Sequence, residues 1–142
     1  MDEQIVRLLD KLSKRVENLE ILETPATVPW TDYSAISTII GWTTYTYKQI
    51  YYLKIGNLVI VEYYILGTSN STATSFTLPY ALKDLVALQL PVRIVDNGAA
   101  HVWGLQEIYA GASLVSFYST VGGASWTASG GKYIAGQFFY ES

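Results

Sequence analysis

The N-terminal run Ile5–Leu22, IVRLLDKLSKRVENLEIL, constrains this chain most. Leu9 and Val16 fall at a, and Ile5, Leu12 and Leu19 at d, the 3.5-residue repeat of a coiled coil. The positions turned away from that seam, among them Glu3, Arg7, Asp10, Lys14 and Glu17, are polar. About two and a half heptads are marginal as a lone helix in water, so the pattern asks for other helices to cover it. The reading is a bundle of identical chains. A single amphipathic helix folding back on its own β domain is the competing one.

Strand number follows from finer detail. Arg15 at g and Glu20 at the following e are placed to pair between neighbouring helices. Arg15-Val16-Glu17-Asn18-Leu19-Glu20 resembles the Arg-h-x-x-h-Glu signature of short three-stranded coiled coils. Leu8 and Leu22 at g widen the apolar face, which favours more than two helices. A parallel homotrimer is therefore expected, with Ile5, Leu9, Leu12, Arg15, Val16, Leu19 and Glu20 at its interface.

Charge divides the chain in two. Residues 1–23 hold six acids and four bases, while the other 119 residues hold six acids and five bases. Every aromatic residue lies at Trp30 or later. The chain reads as a charged helical stalk (1–23), a Pro/Thr/Ala linker (24–35) and an aromatic, Gly/Ser/Thr-rich head (36–142). A net charge of -3 without a basic cluster argues against nucleic acid. There is no cysteine, hence no disulfide framework or thiolate metal site. No apolar run is long enough to span a bilayer, so membrane insertion is not expected. A fragment of a longer fibre, with Met1 supplied by cloning, is compatible with all of this.

The head reads as short strands. Tyr45–Ile55 and Leu58–Leu66 form a hairpin around the two-residue turn Gly56-Asn57. In that register Tyr47, Gln49, Tyr51, Leu53 and Ile55 share a face with Leu58, Ile60, Glu62, Tyr64 and Leu66. Lys48, Ile50, Tyr52, Lys54, Val59, Val61, Tyr63 and Ile65 share the other. Neither face is polar enough for water, so one should meet the core and the other a neighbouring subunit. Tyr52, Val61 and Tyr63 are assigned to the subunit interface. A turn is expected at Gly67–Thr72 and a strand at Phe76–Leu78. Further strands follow at Leu85–Leu90 and Val92–Val95, broken by Pro91. After an Asn97-Gly98 turn come Ala99–Ile108, Leu114–Tyr118 and Lys132–Glu141. Val121–Gly131 is a Gly/Ser loop presenting an exposed Trp126. Eight to ten short strands at such spacing fit an antiparallel β-sandwich or jelly roll.

Several of these segments, taken in order, resemble a known class. Trp30-Thr31-Asp32-Tyr33-Ser34, Gly41-Trp42, the Tyr-rich hairpin Ile50–Ile65, Gly67-Thr68-Ser69-Asn70, Phe76-Thr77-Leu78-Pro79 and the closing Gly136-Gln137-Phe138-Phe139-Tyr140 are similar to the head domains that end bacteriophage tail-fibre and baseplate receptor-binding proteins. The resemblance covers roughly residues 28–142, with the coil as the fibre neck. It implies a homotrimeric C1q/TNF-like jelly roll at the virion tip, attached to the rest of the tail fibre or baseplate and binding host-surface glycans.

For catalysis the inventory is thin. His101 is the single histidine, and no Gly-x-Ser-x-Gly elbow accompanies it. The head's acids, Asp32, Glu62, Asp84, Asp96, Glu107 and Glu141, are scattered, each also readable as a turn former or solvated charge. No cofactor and no metal site is expected. Sugars bind where an aromatic face covers their C–H surface and planar polar groups take their hydroxyls. Trp126, and Trp103 with His101, Gln106, Glu107 and Tyr118, supply both kinds of group. Core or interface packing is the alternative role for each. The expected function is a non-enzymatic attachment head. A structural trimerisation or capping domain is the alternative, and a capsule depolymerase tip ranks last.

Overall fold

A computed structural model describes residues 2–23, 27–83 and 86–142, with only the backbone described over 18–23. Helix α1 spans Glu3–Glu23. Asp2 caps it, its side chain accepting from Gln4 N (3.1 Å) and its carbonyl from Ile5 N (3.0 Å). An Asp10–Lys14 pair one turn apart (3.1 Å) supports the exposed face. The seam residues Ile5, Leu9, Leu12 and Val16 stay half exposed. They are therefore not packed on the chain's own β domain. Arg15 is exposed too, while the side chains of Leu19 and Glu20 lie outside the described residues.

The remainder is mostly β: one curled antiparallel sheet. In chain order its strands are β1 (Thr31–Asp32), β2 (Ile39–Ile40), β3 (Trp42–Ile55), β4 (Leu58–Ser69), β5 (Ser75–Thr77), β6 (Leu88–Val95), β7 (Val102–Ile108), β8 (Leu114–Tyr118) and β9 (Gly131–Glu141). They pair in the order β1-β3-β4-β9-β6-β7-β8-β5-β2. The concave side encloses the core, including Ile50, Val59, Ile65, Val92, Ile94 and Ile134. Within the described residues no helix is long and apolar enough to cross a membrane.

The hairpin register is as expected, with Ile55 opposite Leu58 across Gly56-Asn57 and Gln49 opposite Tyr64. Its orientation corrects the interface assignment. Val61 and Tyr63 are buried in the core and Tyr52 is partly buried against it. Tyr63 packs edge-on against Phe76 and Phe117, each at 5.3 Å. Strand periodicity tells which residues share a face, but only the rest of the fold decides which face turns inward. The outward face is the other set, with Tyr47, Ile55 and Leu58 exposed.

Two boundaries also move. Strand pairing begins inside the segment read as linker: Thr31 and Asp32 pair with Tyr52 and Tyr51, and Tyr33 N donates to Ile50 O (2.8 Å). Gly67–Ser69, expected as a turn, continues β4 past two register shifts. Gly67 permits this, because a Cβ there would collide with the Thr44 carbonyl oxygen. Pro91 does not break its strand. It lies in β6 opposite Leu105, where β6 pairs with β7 alone; pairing with β9 begins at Arg93. Leu85, the expected start of that strand, is outside the described residues. Asn97 and Gly98 both take positive φ (53° and 69°), as the turn requires.

Candidate functional site

Six side chains carried the expectation of a glycan site, and the fold separates them. Trp126 is 2 % exposed, so the expected exposed ring is corrected to a core residue. The Gly/Ser loop folds inward rather than outward. Trp126 N donates to Thr72 O (3.1 Å) and its indole Nε1 to Phe117 O (2.8 Å). Asp96 fastens the next residue by accepting from Thr127 N and Oγ1 (3.1 Å each). With both polar ends tied and its faces covered, the ring offers a sugar nothing. Gln106 is likewise internal, its Oε1 accepting from the Tyr63 hydroxyl at 2.6 Å. Strand alternation puts it on the opposite face from Trp103 and Glu107.

The other four lie on or beside the convex face of β6–β7–β8. Trp103 is 65 % exposed and sits opposite Arg93 of β6. Leu105 follows on the same face, flanked by Pro91 and Tyr118, and then Glu107, flanked by Gln89 and Ser116. Gln89 Nε2 donates to the Glu107 carboxylate. That hydrogen bond, with help from the Tyr109 and Tyr118 hydroxyls, holds Glu107 below the usual carboxylate range. The same contact with Glu107 pushes the Tyr109 hydroxyl up to about 12. Glu107, only 7 % exposed, is thus an ionised acceptor whose hydrogen bonds are taken up within the fold.

His101 stands two residues before Trp103, in a groove of about 330 Å³. Tyr64, Leu66, Arg93, Val95 and Tyr133 line it with His101. The Tyr133 ring is edge-on to both His101 (5.1 Å) and Tyr64 (5.3 Å). Burial raises the Tyr133 hydroxyl pKa, which keeps it a donor, while the Arg93 charge opposes the shift. A second cleft of about 340 Å³ begins at Tyr118 and is rich in hydroxyls, from Thr72, Thr74, Ser75, Ser116 and Ser125. Trp103 therefore stands opposite Arg93 of a groove that also holds an imidazole, on a face that continues through Leu105 to the Tyr118 hydroxyl. Such an array suits a polyhydroxylated ligand: ring faces for C–H surface, fixed polar groups for hydroxyls.

Sequence reasoning missed Arg93, Gln89, Tyr64, Tyr109 and Tyr133. Tyr109 is two residues from Glu107 and could have been read locally. The others become neighbours only through the strand order β4-β9-β6-β7. Among the described residues no group of three or more His, Asp or Glu side chains could hold a metal ion. No protein-family model matches the chain, and no curated protein matches it significantly.

Proposed function

We propose that this chain is the homotrimeric attachment head of a bacteriophage tail fibre or baseplate, a jelly roll of the C1q/TNF kind on a coiled-coil neck. In this reading it sits at the virion tip, joined to the rest of the fibre, and binds host-surface glycans without catalysing a reaction. Supports are the half-exposed heptad seam of α1, the antiparallel head and the segments that resemble such heads. One observation carries the binding role: the open Trp103 ring, opposite Arg93 of the Arg93–His101–Tyr133 groove, with Tyr118 farther along the same face. Three copies would turn weak sugar contacts into avid attachment.

The test is retention of the full chain on a panel of immobilised bacterial cell-wall polysaccharides. Wild type should bind at least one, and Trp103→Ala should weaken each site by up to about tenfold, the share of a stacked aromatic. Trp103 is exposed enough for the variant to fold. A wild type that assembles but binds no polysaccharide would favour the structural capping domain. Release of reducing ends from a bound polysaccharide would make it a depolymerase.

A further inference from the structure

The outward face of β3, β4 and β9 remains without a partner in the single chain. Phe139, Tyr47, Ile55 and Leu58 are 40–67 % exposed on it, with Ile60 and Tyr64 half buried between them. Few of its charges are free. Glu141 pairs with Lys83 (3.0 Å), and Glu107, farther round, is held by Gln89. Asp32, at the β1 edge, accepts from Ser34 N (2.9 Å), and Glu62 and Arg93 are exposed with no ion-pair partner among the described residues. They lie on either side of β9: Glu62 beside Gln137, and Arg93 beside Ala135. An apolar surface with an unpaired acid on one side of β9 and an unpaired base on the other is complementary to itself.

A glycan would leave most of this aromatic and aliphatic surface wet. An unrelated protein would satisfy it without covering the heptad seam of α1. A second copy of this chain does both at once. Accordingly, we infer that copies of this chain dock through the outward face of β3–β4–β9, with Glu62 of one copy paired to Arg93 of the next. The inference rests on the oligomeric part of the reading above and names the surface it uses. Arg93 also lines the groove beside Trp103, so the docking places that groove at a subunit boundary.

Sedimentation velocity on a dilution series of the full chain tests this, comparing Glu62→Arg, Arg93→Glu, the double reversal and Phe139→Asp. All three positions are exposed, so the variants keep the fold, and circular dichroism checks it. Each single variant should raise the dissociation midpoint by about tenfold or more, and the double reversal should return to within about threefold of wild type. The short coil is marginal alone, so the head's share of the assembly energy is readable. Unchanged midpoints for the single variants, with wild type still trimeric, would overturn the docking face and leave the attachment reading standing. Single variants that weaken assembly without rescue by the double reversal would overturn the Glu62–Arg93 pairing. Wild type that is monomeric at every concentration would overturn the trimer itself, an outcome visible before any variant is compared.

Discussion

Raising the pH from 8 to 10 should stabilise the folded chain, and Lys132 is the reason. Its side chain is fully buried on the inner side of β9. The ammonium donates to Thr74 Oγ1 (2.8 Å), Gly41 O (3.0 Å) and Ser71 O (3.2 Å). The Trp126 and Trp42 rings lie 5.0 and 5.1 Å away. These contacts favour the charged form, but among the described residues no carboxylate forms an ion pair with it. Burial wins, pushing the group from 10.5 down to about 8, with the Asp96 charge opposing. When a base's folded pKa lies below its unfolded value, the unfolded chain binds the proton more tightly. Stability therefore rises with pH between the two values. At about 1.4 kcal/mol per pKa unit, charged Lys132 costs the fold on the order of 3 kcal/mol at neutral pH, and pH 10 recovers about 2 of it. Tyrosines then reverse the trend. Burial raises Tyr63 and Tyr140, so the unfolded chain ionises them first as the pH passes 10. Urea unfolding from pH 7 to 11 should show a free energy that climbs from 8 to about 10 and falls beyond it. Lys132→Met should remove the climb. A wild-type curve that is flat or descending from 8 to 10 relative to the Met variant refutes the reasoning.

Two further predictions follow from the core. Trp126→Ala should cost about 3–5 kcal/mol in urea unfolding, because a buried ring and its hydrogen bond to Phe117 O are lost. Polysaccharide retention per folded molecule should stay unchanged. Tyr63→Phe should cost about 1–3 kcal/mol by the same measurement, since it leaves the buried Gln106 oxygen without its donor.

The legible parts of this chain are those set by neighbours in sequence. The heptad spacing marks α1, and Gly56-Asn57 sets the register of β3 and β4 as far as Tyr47 opposite Leu66. What needed the third dimension was read wrongly or not at all. Tyr63 and Tyr64 are equally plausible core residues until Phe76, Phe117 and Phe138 arrive from distant strands to enclose one of them. Glycine and serine around Trp126 suggested an exposed loop. The same small residues let the backbone turn tightly, with Gly123 and Gly130 at positive φ, and carry the indole inside. Gln106 looked like a ligand group because its partner, Tyr63, is 43 residues away. Half of the candidate site was therefore visible: Trp103, His101, Glu107 and Tyr118, without the β4, β6 and β9 residues that border them.

β9 bears on how the chain comes to be folded at all. It is the last of the nine described strands in chain order, yet it sits between β4 and β6 near the middle of the sheet. Until residues 131–141 leave the ribosome, β4 has a bare, apolar edge and no strand pairing joins the two halves of the sheet. The head can therefore close only once β9 has been made, in a slow step dominated by contacts far apart in sequence. α1, by contrast, precedes every strand in the chain, and in the assembly proposed above it would find its partners while the heads are still open. Nascent chains tethered in this way would face each other's unfinished edges, so the order of helix assembly and strand insertion decides between orderly particles and exchanged strands.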